Sequence, residues 1–258
     1  MKPGAFFGSV EDASWEPYRD LLSDDGTFAL NIGAWFVHTE ERTILVDTGI
    51  GNRPVQMPLQ EPPALPSVME AAGVGTADVD TVVLTHLHFD HIGWNTTEVG
   101  GVSTPFFGNA RHGVQQVEWD HWTASDDSRR VARNDDVLAP VTDADLLDMI
   151  EGKQPITSEL TAIPTPGHMP GHMSFVLLSG GERAYLLGDA AHHPVQLSEP
   201  SWSPNADVDP VLSPQTRAAL FERIEHEEAL IASGHFVFPG LGHARRHDGT
   251  LRFEALEG

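Results

Sequence analysis

Four side chains able to ligate a metal fall within six residues of this chain: His86, His88, Asp90 and His91, in the stretch Thr85-His86-Leu87-His88-Phe89-Asp90-His91. Strict alternation sets His86, His88 and Asp90 two residues apart, with His91 next. An extended and then turning loop therefore directs imidazoles and a carboxylate toward two adjacent metal positions. Two dications sharing a water lower its pKa enough to supply hydroxide at neutral pH, and one of them polarises the carbonyl or phosphoryl oxygen under attack. The chemistry to expect is metal-dependent hydrolysis, with Asp90 orienting that water and carrying a proton to the leaving group. The chain has no cysteine, which excludes thiolate metal sites, disulfides and cysteine nucleophiles. It also lacks Gly-x-Ser-x-Gly, the simplest mark of a serine hydrolase.

The elements that would position this cluster are legible on both sides of it. Phe28 to Val37 is rich in apolar and aromatic residues, and Thr43 to Val46 follows the polar turn His38 to Arg42, which predicts a β-hairpin ending in Asp47-Thr48-Gly49. Leu65 to Ala72 reads as a short helix with Pro66 near its first turn and Gly73 as its stop. Asp80 to Leu84 is a buried strand running directly into the histidines, so the cluster sits on a loop at a strand's end. From about 96 to 153 the pattern loosens: Trp119 and Trp122 keep helical spacing, but Ser125 to Asp136 is a charged run, and we expect an excursion over the active-site face. Met173 to Leu178 and Ala184 to Leu187, separated by Ser179-Gly180-Gly181-Glu182, predict a second hairpin. A Pro-rich loop, Pro194 to Pro210, then leads to a helix from Pro214 to Ala229 with Ser213 as its N-cap, and Leu230 to Ala232 is a short strand ending at Gly234-His235. No internal repeat is visible. Strands at both ends with helices between predict one α/β domain over residues 1–258.

The bulk composition, 40% hydrophobic and 21% charged, is that of a globular chain with a substantial core. Its net charge of -23, from 15 Lys+Arg against 38 Asp+Glu, repels phosphate backbones and anionic membranes, so nucleic acid and membrane are not expected as partners. The first acidic residues, Glu11 and Asp12, precede any long apolar run, and no segment reaches the roughly 20 apolar residues of a membrane helix. A cytoplasmic location is the expectation.

On its motifs the sequence resembles the metallo-β-lactamase superfamily, whose pattern is His-x-His-x-Asp-His followed by a distant His, Asp and His. His168 lies in Thr165-Pro166-Gly167-His168-Met169-Pro170-Gly171-His172, Asp189 in Leu187-Gly188-Asp189, and His235 in Ser233-Gly234-His235-Phe236. The resemblance implies a four-layer αββα sandwich and two divalent metal ions, zinc by family habit although iron, manganese or cobalt also suit such ligands. It assigns His86, His88 and His168 to one metal and Asp90, His91 and His235 to the other, with Asp189 bridging. Asp47, in Val-Asp-Thr-Gly, is expected to hold the loops around the site, and His172 to support the centre rather than bind metal. His38, His112, His121, His226, His243 and His247 have no ligand spacing.

Within the superfamily, Asp189 stands where zinc β-lactamases use a cysteine, and His88 stands where the flavodiiron branch has Glu. The segment from His235 to His243 looks like the C-terminal motif of the quorum-quenching lactonase and methyl parathion hydrolase group. Many acyl-homoserine lactonases carry a tyrosine three residues after the bridging Asp, where this chain has His192. His192 is therefore read as a pocket residue able to donate to a substrate oxygen, and joins Asp90 as a catalytic candidate. Trp94, Phe106, Phe107, Met169 and Trp202 are candidates for an apolar substrate wall. The expected function is cleavage of a lactone or other carboxylic ester of a neutral or apolar small molecule. Phosphotriester or thioester hydrolysis, or a natural-product biosynthetic cyclisation or thioester release at the same site, are the alternatives.

Overall fold

The computed structural model describes residues 1–53, 59, 61–124 and 134–256. The chain forms two compact units, Ile32–Ser158 and Met1–Asn31 with Glu159–Gly258. Among the described residues no helix is long and apolar enough to cross a membrane.

In the Ile32–Ser158 unit, β1 (Trp35–His38) and β2 (Thr43–Val46) pair antiparallel through the expected turn. Parallel pairing then adds β3 (Thr81–Val83) beside β2. A separate hairpin, β4 (Thr96–Val99) and β5 (Val102–Pro105), follows. The sheet is completed by β6 (Arg111–Gln115) and β7 (Leu147–Ile150), giving the order β1-β2-β3-β6-β7 with β3, β6 and β7 parallel. All of β2 and β3 is buried, the mark of strands covered on both faces, which explains their unbroken apolar runs. The helix Leu65–Ala71 lies within the range read from sequence.

Within the stretch 96–153, read from sequence as an excursion, β6 and β7 are thus built into the sheet. Their signal is weak because β6 carries His112 and Gly113 and β7 carries Asp148, which interrupt any apolar alternation. The helix Gln116–Thr123 contains both tryptophans at the expected spacing. Most of the charged run Ser125–Asp136 lies outside the described residues. A two-residue strand, β8 (Gln154–Pro155), precedes the end of this unit.

The other unit is built on β9 (Leu160–Pro164), β10 (Met173–Ser179), β11 (Glu182–Leu186), β12 (Leu230–Ala232), β13 (Leu241–His247) and β14 (Thr250–Ala255), which lie side by side in sequence order. β9 and β11 both run antiparallel to β10, and β12 runs parallel to β11, so β9, β11 and β12 share one direction. The loops that follow these three strands consequently leave the same end of the sheet. The helix Leu212–His226 buries Leu220, Phe221 and Ile224 in a core with Tyr185, Leu187, Ile231 and Phe236.

That helix begins at Leu212, two residues before the expected start at Pro214. Ser213, read as its N-cap, is inside it and buried, while Asp209 Oδ1 accepts from the backbone N–H of Val211 and Leu212 at 3.0 and 2.9 Å. Val211, which precedes the helix, makes no side-chain cap bond of its own, and Asp209 satisfies these free donors in its place. Near the N-terminus, a 3-10 stretch, Asp12–Leu21, brings Trp15 and Tyr18 into an aromatic cluster with Phe7, Phe28 and Trp202.

Candidate metal centre

In the Ile32–Ser158 unit the candidate ligands hang from the carboxyl end of β3, beside that of β2, as expected for a parallel sheet. Asp47 follows β2 with φ +61°, in the left-handed region that Asp tolerates. Its carboxylate faces the β3 loop, accepting from the backbone N–H of Thr85 at 2.8 Å and pairing with His91 Nδ1 at 2.8 Å. Thr85 Oγ1 lies 2.9 Å from Asp47 Oδ2 and 3.0 Å from His86 Nδ1. Asp47 therefore ties together the loop that bears the candidate ligands, in line with the role the family resemblance implied.

Within that loop, His86 Nε2 and His88 Nδ1 are 2.9 Å apart, the rings of His86 and His91 have centroids 4.2 Å apart, and Asp90 Oδ1 is 3.9 Å from His91 Nε2. Glu118, wholly buried on the helix Gln116–Thr123, accepts from the Leu87 backbone N–H at 3.1 Å and from Trp122 Nε1 at 2.8 Å, fixing the middle of the loop from outside. Its contribution had no sequence signal beyond being an acid on a helix.

In the other unit Asp189, His168 and His235 follow β11, β9 and β12, the three strands of common direction. Asp189 is 3% exposed, and three imidazoles converge on its carboxylate: His168 Nε2 and His192 Nε2 each lie 3.0 Å from Oδ2, and His235 Nε2 lies 3.0 Å from Oδ1. The ligand-type atoms of Asp189, His192 and His235 lie within 4.8 Å of one another. The other ring nitrogens of His168 and His235 are anchored, His168 Nδ1 by Asp207 Oδ1 at 3.0 Å and His235 Nδ1 donating to Asn31 O at 2.7 Å. Such anchoring keeps a proton on Nδ1, so that Nε2 is the nitrogen a cation would take. His172 is placed differently: its Nε2 accepts the Asp189 backbone N–H at 2.8 Å and its Nδ1 faces Thr165 Oγ1 at 2.9 Å. It supports the carboxylate from behind.

These groups suit a bound cation. Burial alone would lower the pKa of His168, but the carboxylates of Asp189 and Asp207 hold it up to about 9. Burial dominates at His192 and brings it down to about 4. A buried carboxylate ringed by oriented imidazoles, with no thiolate in the chain, is the donor set of a zinc-type or iron-type site. Of the apolar wall candidates, Phe107 and Met169 are fully buried and serve packing. Trp202 is half-buried and joins the N-terminal aromatic cluster. Phe6 also belongs to that cluster, and its ring meets His192 edge-on at 5.4 Å. Sequence reading passed over Phe6, Asp207, Asn31 and Glu118, because each contacts a residue distant in the chain.

The chain belongs to the metallo-beta-lactamase superfamily, whose profile matches residues 29–235. It is 26% identical over 225 residues to the N-acyl homoserine lactonase AiiA of Bacillus thuringiensis subsp. kurstaki, covering 81% of this chain and 83% of that one. To the N-acyl homoserine lactonase AttM of Azorhizobium caulinodans it is 32% identical over 177 residues, 65% of this chain and 62% of the relative. Among solved structures it is similar to AbOPH, a hydrolase in the beta lactamase superfamily, with a TM-score of 0.83 at 26% identity over 100% of this chain and 91% of the other. The fold is shared as well by AidC, a dizinc quorum-quenching lactonase, with a TM-score of 0.79 at 22% identity over 99% of this chain and 90% of that one. The fold expected from the sequence, of the metallo-β-lactamase type, is the one found.

Proposed function

We propose that this protein is a dinuclear metal-dependent hydrolase that opens a lactone or another carboxylic ester. The observation that carries the reading is the convergence of His168, His192 and His235 on the buried Asp189 carboxylate, at 3.0 Å each. Membership of the superfamily and the lactonase activity named for several relatives support it. Following the family pattern, His86, His88 and His168 would hold one metal, and Asp90, His91 and His235 the other, with Asp189 serving both. Zinc is the metal we expect. We read the two units as halves of one family domain, since the matched region, 29–235, runs through both.

Bound there, the metals supply Lewis acidity toward the substrate carbonyl and acidify water to near neutrality. The protein's own groups do the rest. Asp47, Asp207 and the Asn31 carbonyl hold the imidazoles in one tautomer, so that no reorganisation is needed as charge develops. Asp90, less buried than His91, takes the proton of the attacking water and delivers it to the leaving alkoxide. We read His192, whose Nε2 lies 3.0 Å from Asp189 Oδ2, as the group that donates to the substrate oxygen. The excess of acid over base disfavours polyanionic substrates, leaving a neutral or apolar molecule.

A panel of acyl-homoserine lactones, aryl esters, phosphotriesters and thioesters, run on protein whose metal content has been measured, tests this. We expect about two transition-metal ions per chain and turnover of lactone or carboxylic ester. Turnover confined to phosphotriester or thioester, or full activity in metal-free protein, would reject it.

A further inference from the structure

Arg217 has no exposed surface, yet it sits on a helix whose other inward residues are Ser213, Leu220, Phe221 and Ile224. A guanidinium offers five N–H donors in a rigid fork, and here five acceptors meet it. Nε donates to Ala190 O at 2.7 Å, Nη1 to Pro200 O at 2.7 Å and Trp202 O at 3.1 Å, and Nη2 to Ser213 Oγ at 2.9 Å and Asp207 Oδ2 at 3.3 Å. Burying this charge gains little stability over an apolar side chain of similar volume. The identity of its acceptors suggests what it does instead.

Ala190 is the residue after Asp189, and Asp207 turns its other oxygen to His168 Nδ1 at 3.0 Å. The segment beyond Asp207 is stitched to the His168 loop as well, Val208 N–H donating to His168 O at 3.0 Å and Asp209 N–H to Gly167 O at 2.9 Å. One side chain thus reaches the loop of the bridging carboxylate directly and the loop of a ligand histidine through one carboxylate. A lysine, with a single nitrogen, cannot meet this set of acceptors.

We propose that the Arg217–Asp207 pair is the positioning device of the metal centre, fixing His168 with its proton on Nδ1 and its Nε2 toward Asp189 while holding the Asp189 loop in register through Ala190. The proposal rests on the reading of His168 and Asp189 as metal ligands. Neither Arg217 nor Asp207 touches substrate or metal; both act through the groups they hold.

The test compares Asp207→Asn, Ser213→Ala and Arg217→Lys with the wild type in three measurements. These are metal affinity by competition with a chromophoric chelator, the absorption spectrum of the cobalt-loaded protein, and the melting temperature of the metal-free protein. Asn keeps the shape of Asp207 but turns an amide donor toward one of the donors, among them His168, Arg217 and Ser213, from which Asp207 now accepts. We expect roughly 10- to 100-fold weaker metal binding and an altered cobalt spectrum in Asp207→Asn, a smaller loss in Ser213→Ala, and metal-free melting close to wild type in both. Wild-type affinity and spectrum in Asp207→Asn, with only the melting temperature lowered, would overturn the proposal. Should Arg217→Lys fail to fold, the two milder variants decide. Should the wild type bind no divalent metal, the functional reading fails by itself. The ring N–H proton of His168 in metal-free protein then decides the positioning: its slow exchange, lost in Asp207→Asn, supports the pair, and unchanged exchange rejects it.

Discussion

Imidazoles in this protein divide by what their far nitrogen meets. His91, His168 and His235 are anchored by Asp47, Asp207 and the Asn31 carbonyl, and each is a candidate ligand. His112 is a contrast: fully buried in β6, its ring meets, among the described residues, only the Ala110 carbonyl, through Nδ1 at 3.1 Å, and burial lowers its pKa to about 4. Because the folded value lies below the unfolded value of about 6.5, the unfolded chain binds the proton first. The neutral ring's contribution is intact above pH 6.5 and is lost as the pH falls toward 4. At about 1.4 kcal/mol per pKa unit this is on the order of 3 kcal/mol across that window. Replacing the ring by an apolar one removes the titration, so His112→Phe is expected to flatten the decline of urea stability between pH 6.5 and 4. A slope equal to wild type over that range would contradict the assignment. Sequence spacing set His112 apart from the candidate ligands, but only the structure shows that it is enclosed.

Elements explain why some of the site was legible and some was not. β2 and β3 are short, wholly buried and apolar, and each runs straight into its motif, so the hairpin, the strand and the loop between Thr85 and His91 could be read directly. The strands β6, β7, β13 and β14 carry Arg, His or Asp at many positions and show no apolar run to read. The His168 loop was recognised by its motif, but its support comes from the start of a helix more than forty residues later, which no local pattern reveals. That support depends on Gly167. Its φ is +136°, and a Cβ there would lie 2.4 Å from Ser213 Cα, on backbone that cannot give way. Gly167→Ala must therefore push the His168 loop off the helix Leu212–His226. We expect a loss of about 2–4 kcal/mol from the combined backbone strain and overlap, together with a fall in bound metal, both read from denaturant unfolding and elemental analysis of the same preparation. Unfolding and metal content equal to wild type would show that the loop is held by something other than this close approach.

Across the whole molecule the candidate ligands are divided, His86, His88, Asp90 and His91 in one unit and His168, Asp189 and His235 in the other. Periodicity could place each loop on its strand but had no access to their assembly. Only the ordered set of motifs, matched as a family pattern, pointed to one site. If the two metals are shared as proposed, their binding free energy is also stability, because an unfolded chain offers no preformed site. At free metal of about 100 times the dissociation constant, a single ion adds roughly 2.7 kcal/mol, and in a chain of this size each kcal/mol moves the melting temperature by about 2–4 °C. The net charge of -23 adds to this, since cations bound among buried carboxylates offset part of the self-repulsion that remains when they are stripped. Chelation should therefore lower the melting temperature by roughly 5–10 °C for each ion removed. Raising the salt should recover part of the loss in the metal-free protein and change the metal-loaded protein less, because screening replaces only the long-range component. Scanning calorimetry with and without chelator, at low and high salt, separates the two contributions. A melting temperature indifferent to chelation would mean that the metals, if bound, do not hold the two sets of ligands together.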